Sequence, residues 1–395
     1  MYRAIASLLG VTVLFSFRPG VADERAAFVT TLGKDTVTLE SVVRSGNRLD
    51  GEIVVRVPST VRLHYQVDLA PNGTPTRATM ELDPMGAKNM VARRTTVDFK
   101  ADSIRIAIDS AGQRRQLSRA AAPGTWPMIR TGFGSSYGLY SSLGLYELYL
   151  ARGLPKVNDT VFVPTVDLAS GAALERQFIG RGATQVDVDY FGVVPTHLTV
   201  DANGLISAVD AHETTEKTDT KRVAYFDVGD VAKRFASADR SGKGLGVASP
   251  NQIEKGSVGG ELVVVTYGSP RLRGRRILGG VVPFDHVWRT GANEATTLLC
   301  DRALVIGGTT VPAGTYSLWT VPKRDGTVDL IVNRQHGQWG TEYDRAQDLA
   351  RIPMKTSVLS PPQENFTIHV ADAGSGGELR IAWDTFLWTV PVSLK

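Results

Sequence analysis

Apolar and polar positions alternate along most of the chain, the period-two signature of half-buried β-strands. The alternation is clear over residues 36–44 and again over 52–57, with a turn-forming cluster at 45–51 between them. Residues 61–69 run into Pro71-Asn72-Gly73, and a further alternating stretch follows at 77–82. Asn-Gly punctuation between such stretches predicts an antiparallel meander. Residues 197–210 repeat the theme of strand, short polar turn and strand, which predicts one sheet continuing on both sides of a central insertion.

That insertion holds the best helical pattern, at 137–152. Leu139, Leu143, Tyr146 and Leu150 fall at i, i+4, i+7 and i+11, on one face, and Gly153 and Pro155 supply a stop. The expectation is a helix packed on a sheet, with a cavity-covering role for its apolar face as the alternative. Past 225 the pattern decays into Gly, Ser and charge, and a linker is expected at 236–258.

The fold expected is mostly β. An N-terminal antiparallel curved sheet or half-barrel with one central helix spans 23–235, and a C-terminal antiparallel β-sandwich spans 259–395. Residues 1–22 read as a secretory signal peptide: Arg3 starts it, 4–17 are apolar, and Gly20-Val21-Ala22 precedes a cut ahead of Asp23. The protein is therefore expected to be exported, periplasmic or secreted, with no transmembrane segment after cleavage.

Composition narrows the classes. With 42% hydrophobic and 21% charged residues the chain is globular rather than disordered. The net charge of +4 includes Arg3 and Arg18 of the leader, leaving 42 basic and 40 acidic residues beyond it. Such a balance gives no reason to expect a nucleic-acid partner. Cys300 is the only cysteine, so no internal disulfide forms, and it is expected to be a buried structural thiol.

The second half is denser in unusual residues. Gly274-Arg275, the Trp288-Arg289-Thr290-Gly291-Ala292-Asn293-Glu294 block, Pro312-Ala313-Gly314-Thr315-Tyr316, Asn333 and Trp339-Gly340-Thr341 stand out. Together they resemble a bacterial secreted family known as domain of unknown function 2911, over about residues 259–393. The resemblance implies no particular reaction. The organisation of the first half is similar to the half-barrel folds of periplasmic lipid or lipoprotein carriers.

The candidate ligand-binding residues are Arg275, His286, Arg289, Asn293, Glu294, Asn333, Trp339 and Tyr343. Arg289 offers a planar fork for a carboxylate or phosphate, Asn293 a donor and an acceptor, and Glu294 a general base. The competing reading is an internal Arg–Glu pair that fixes two loops. Arg271, Arg273 and Arg275 alternate, and are expected to share one face of a solvated edge strand. Most tryptophans are expected in the core, with Trp339 the best exposed candidate. The six histidines show no metal-ligand spacing, and no nucleophile elbow or phosphate loop occurs. No catalytic residue, metal or cofactor is assigned.

The leading functional expectation is non-catalytic binding of a small-molecule or lipid ligand. A scaffold that docks an envelope protein comes next, and an envelope hydrolase built around the 289–294 loop comes last.

Overall fold

The computed structural model describes residues 23–88, 90–129, 142–189, 195–214, 216–372 and 376–395. The proposed leader 1–22 and the first part of the 137–152 helix lie outside the described residues. Two large sheets account for most of the remainder, and no described helix is long and apolar enough to cross a membrane.

The first sheet has fifteen strands. The chain starts in its middle with Glu24–Leu32 and walks outward by hairpins to an edge at Gln113–Ala120. It then crosses to the opposite edge at Trp126–Met128 and walks back inward to Asp219–Val223, beside the first strand. Neighbours are antiparallel except for the outermost pair, Trp126–Met128 with Thr160–Asp167. One sheet therefore continues on both sides of the insertion, as the repeated strand–turn–strand pattern predicts.

Helix α1 (Leu143–Leu150) fills the concave face of this sheet. Its core joins residues from both arms, among them Val42, Tyr65 and Met80 on one side and Val163, Phe178 and Leu198 on the other. The single apolar face expected from sequence understates this burial. Of the eight helical residues only Tyr149 is not fully buried, and its ring stacks on Phe178 at 4.9 Å. Gly144 is required by packing, because a Cβ there would sit 2.5 Å from both the Tyr65 hydroxyl and Val42.

The helix N-terminus ends on a buried acid. Glu40 accepts from Ser142 Oγ at 2.6 Å, Tyr65 Oη at 2.7 Å, Leu143 N at 2.8 Å and Gly144 N at 3.1 Å. These satisfy backbone donors that a helix start leaves open. Burial pushes the Glu40 carboxyl above its usual range, and the four donors offset this only in part.

Helix α2 (Val228–Arg240) covers the opposite, convex face, packing Val228 and Ala232 on Leu39 and Val54. Residues read as linker thus begin inside a helix. Its start carries a legible signal: Asp227 accepts from Gly229 N at 2.7 Å, and Val228, Ala232 and Ala236 recur every fourth position.

The strand Asn251–Val258 also falls within the residues read as linker, and it opens the second sheet. Nine strands follow the spatial order Asn251–Val258, Glu261–Gly268, Thr296–Cys300, Gly314–Pro322, Val328–Asn333, Asp348–Asp372, Gly376–Leu394, Leu304–Ile306, Thr309–Val311. The strand Asp348–Asp372 folds the sheet over on itself. Its first part pairs with Val328–Asn333, and its far end meets the opposite edge, where Ser269 Oγ donates to Phe366 O at 2.7 Å. Trp288, Trp383, Trp388, Phe366 and Phe386 fill the space between the layers. Cys300 is buried there as a free thiol.

Glu40 generates a test. A carboxyl whose pKa is raised on folding favours the native state most below its unfolded value near 4.5, and that contribution is lost as pH climbs through the folded value. Melting temperature measured between about pH 5 and pH 9 is expected to decline more steeply for the wild type than for Glu40→Gln. Glu40→Leu orphans several buried donors at about 1–3 kcal/mol each and is expected to be strongly destabilised at every pH.

Candidate functional site

The two sheets meet at one end of the first. The strand Glu24–Leu32 lies beside Asp219–Val223, with Thr31 opposite Asp219. The Gly33-Lys34 turn and residues 211–214 and 216–218 therefore emerge together, and Leu32, Glu216 and Lys217 line a cleft with the second domain. The contact is specific. Lys34 N donates to Arg273 O at 3.0 Å, and the Arg273 guanidinium forms an ion pair with Asp35. Gly33 has φ +60°, and a Cβ on it would lie 2.4 Å from Arg273 O.

Arg273 is 2% exposed, and its own φ is +50°. With Gly274 at φ +68° the chain turns sharply, so Arg271, Arg273 and Arg275 do not share a strand face. This departs from the expected solvated edge strand: a left-handed turn replaces extended backbone. Arg273 goes to Asp35, while Arg275 is held by backbone, donating from Nη2 to Arg271 O at 2.6 Å and from Nε to Leu272 O at 3.2 Å.

Next to this contact lies a cleft of about 340 Å³. Leu32, Glu216 and Lys217 line it from the first domain, and Arg275, Arg289, Asn293 and Tyr343 from the second, over a floor that includes Trp288, Trp319 and Trp383. Four of the eight sequence candidates thus converge. His286, Glu294, Asn333 and Trp339 do not line it.

The 288–294 loop owes its shape to strained backbone. Thr290 (φ +51°), Gly291 (φ +153°) and Asn293 (φ +64°) all lie on the positive-φ side. A β-branched residue there costs about 1–3 kcal/mol and persists only where neighbours hold it. They do. Thr290 is fully buried, its hydroxyl lies 3.2 Å from Thr320 Oγ1, and its carbonyl accepts from Thr296 Oγ1 at 2.6 Å. Trp288 and Thr320 exchange two backbone hydrogen bonds, at 2.8 and 2.9 Å.

Arg289 runs from this loop along Gly340, where a Cβ would lie 2.3 Å from Arg289 Cδ. Its Nη1 donates to Asn293 O at 3.3 Å. Lys217 reaches the cleft from the other side, donating to His212 O at 2.5 Å. No ion pair joins Lys217, Arg275 or Arg289 to a carboxylate among the described residues. Burial lowers Arg289 to about 10, with no neighbouring charge opposing the shift. Arg275 falls to about 10 through burial and then the proximity of Arg273, which the attraction of Glu364 and Asp35 only partly offsets. Lys217 is lowered by burial and by repulsion from Arg289 and Arg275, against the attraction of Glu213 and Asp210.

The remaining candidates have structural partners. Asn333 is fully buried; it donates to Asp344 O at 2.8 Å and Asp348 Oδ1 at 2.9 Å and accepts from Gln335 N at 2.9 Å. Asp348 also accepts from the Tyr343 hydroxyl at 2.7 Å, and Arg351 donates to that hydroxyl at 2.7 Å. Tyr343 therefore offers the cleft its ring, tilted over Trp319 at 5.1 Å, while burial and Asp348 push its hydroxyl up to about 12. Glu294 is exposed and bridges through its backbone to half-buried Trp339, and His286 is exposed with Nδ1 2.8 Å from Phe284 O.

Sequence reasoning missed Lys217. Its loop reads as an ordinary solvated turn, and nothing along the chain links it to Arg289. It also missed Asp210, His212 and Asp219, whose ligand atoms lie within 4.8 Å of one another and could receive a cation. All three are exposed, and His212 already contacts both carboxylates, at 2.8 and 3.4 Å.

Residues 249–392 match the model of a family described as "Protein of unknown function (DUF2911)". The second domain thus carries the likeness read from Gly274-Arg275, the 288–294 block and Trp339-Gly340-Thr341. Leu32, Glu216 and Lys217 lie outside the matched residues, so the cleft combines the matched domain with another part of the chain. Among solved structures, a crystal structure of a DUF1089 family protein from Pseudomonas aeruginosa is similar at 10% identity. It covers 44% of this chain and 88% of that one, with a TM-score of 0.30. No curated protein matches.

The Arg273–Asp35 pair joins the domains and can be tested directly. Asp35→Ala leaves a buried guanidinium without its counter-charge, and denaturant unfolding is expected to show a loss of about 3 kcal/mol. Adding Arg273→Met to Asp35→Ala is expected to recover part of that loss, because the uncompensated charge is gone.

Proposed function

We propose that the protein is a non-catalytic binding protein that holds a small anionic molecule in the cleft between its domains. The observation that carries this reading is the convergence of Lys217, Arg275 and Arg289 on one cleft without an ion-paired carboxylate among the described residues. Packed neighbours and backbone carbonyls fix all three, so the cost of gathering like charges is met in folding and an arriving anion finds donors already in place. A guanidinium held in a partly desolvated cleft interacts more strongly with a carboxylate or phosphate than one in water.

The reading favours an anion over a lipid. Core contacts with both arms of the first sheet consume the apolar surface of α1. The family match assigns no reaction. We further propose that the protein works in the periplasm or outside the cell, a reading supported by the leader-like pattern of residues 1–22.

Thermal unfolding tests the binding reading. A ligand that binds only the native state adds about 2.7 kcal/mol at 100 times its Kd. Small anions such as phosphate and benzoate are expected to raise the melting temperature above that in sodium chloride of equal ionic strength. Arg289→Met and Lys217→Met are each expected to weaken the effect at least tenfold in apparent Kd. Gly340→Ala, which displaces the Arg289 stem, is expected to weaken it too. Unchanged melting with every anion would end the proposal.

A further inference from the structure

The cleft is asymmetric in a way that narrows its ligand. Among the described lining residues three cations, Lys217, Arg275 and Arg289, outnumber the one carboxylate, Glu216, while Glu213 and Asp210 attract Lys217 and Glu364 and Asp35 attract Arg275 from outside the lining. That excess of lining cations favours a head with two negative charges over one.

The donors left over are suited to several oxygens rather than one. Arg275 spends Nη2 and Nε on backbone carbonyls and keeps Nη1. Arg289 uses Nη1 on Asn293 O and keeps Nη2 and Nε, two parallel donors on one edge of its fork. Lys217 gives one of its three protons to His212 O.

Beside the cations and the polar Ser249, Asn293 and Thr341, the cleft has an apolar wall. Val281, Val287, Pro283 and Leu32 line it, with the ring of Tyr343, whose hydroxyl is engaged elsewhere by Asp348 and Arg351. The cleft has a volume of about 340 Å³. An inorganic anion occupies a small part of that space and leaves the apolar wall wet. A ligand with a compact hydrophobic body beside its charged head fills both parts, and burying the body adds affinity in proportion to the area covered.

Resting on the anion-binding reading above, we infer that the cleft selects a small amphiphilic dianion, a doubly charged head such as a phosphate monoester attached to a compact apolar group. Charge and apolar body each add to the affinity.

Four probes separate the contributions in calorimetric titrations of the full chain at about pH 8, where a phosphate monoester is mostly dianionic. Phenyl phosphate has both parts, inorganic phosphate the charge, benzoate one charge with the ring, and phenol the ring alone. Phenyl phosphate is expected to bind at least tenfold more tightly than inorganic phosphate or benzoate, with phenol undetectable. Its affinity is expected to fall as pH drops below about 6, where the head becomes a monoanion, while that of benzoate stays level. Arg289→Met and Lys217→Met, with native circular dichroism as the folding control, are expected to lose at least tenfold for phenyl phosphate. Arg289→Lys is expected to retain part of that affinity.

Equal affinities for benzoate and phenyl phosphate would overturn the dianion. Equal affinities for inorganic phosphate and phenyl phosphate would overturn the apolar body. Either result leaves the anion site standing. If none of the anions binds, or the variants bind as the wild type does, the anion-binding reading fails and this inference fails with it.

Discussion

A guanidinium cannot shed its charge, so an arginine folded into an interior must find an acceptor. Arg273 finds Asp35: the arginine sits in a turn of the second domain and the aspartate opens a strand of the first sheet. That one pair sets much of the molecule's geometry. It brings the Gly33-Lys34 turn against the second domain, and so brings Glu216 and Lys217, which precede the strand Asp219–Val223 at the same end of the sheet. The arrangement is not optimal for stability. Nε and Nη2 of Arg273 meet no acceptor among the described groups, and Arg56 and Arg275 lie close enough to repel it. Desolvating one charged pair is costly, and desolvating one with further cations nearby costs more. The fold tolerates this because the sheets on either side have large apolar cores of their own.

The cleft beside that pair repeats the logic in a different form. Lys217, Arg275 and Arg289 are also crowded, but their charged ends are held by backbone carbonyls rather than by an ion-paired carboxylate among the described residues. Structural arginines elsewhere on the surface are paired: Arg62 with Glu52 at 2.5 Å, Arg181 with Asp187 at 2.6 Å, Arg380 with Glu378 at 2.7 Å. The contrast gives the cleft its interest. Backbone strain adds to it, since Thr290 holds a left-handed conformation only through a buried network of Thr296 and Thr320. Strain and uncompensated charge in one place are what a site shaped for a partner displays.

Much of the fold could be read from the chain, for reasons that can be localised. Strands such as Val61–Leu69 alternate strictly between buried and half-buried residues, so periodicity carries the signal. The strand Asp35–Ser45 is harder, because α1 and α2 press on opposite faces and bury six consecutive residues from Val37 to Val42. Helix α2 was legible but its Ser and charge content masked it. The site was half legible. Polar residues on a Gly-turned loop pointed to Arg289 and Asn293. Adjacency in sequence then misled for Glu294: Asn293 at φ +64° redirects the chain, and Glu294 ends on the surface beside Trp339. Asn333 and Tyr343 turned out to share a network through Asp348, a link no spacing rule encodes. Lys217 was out of reach altogether, because its contribution depends on two sheets docking.

The docking also explains why a polar cleft, and not the larger apolar interior, is the place to look for a ligand. A curved sheet of fifteen strands could in principle cup a hydrophobic molecule. Here Tyr146, Tyr149 and Phe178 pack ring to ring across that concavity, and Gly51 and Gly144 let Tyr65 sit where a side chain would otherwise clash. Such close packing leaves little volume to give up, and opening it would forfeit contacts along the whole helix. The cleft demands no such sacrifice. Its floor is the same buried tryptophan layer that stabilises the second domain, its walls come from both domains, and its charges are already desolvated in part. A ligand entering there touches Lys217 on one side and Arg289 on the other, so its binding free energy is also domain-docking free energy. The Arg273–Asp35 pair and a bound anion would therefore reinforce each other, each reducing the ordering that the other must supply.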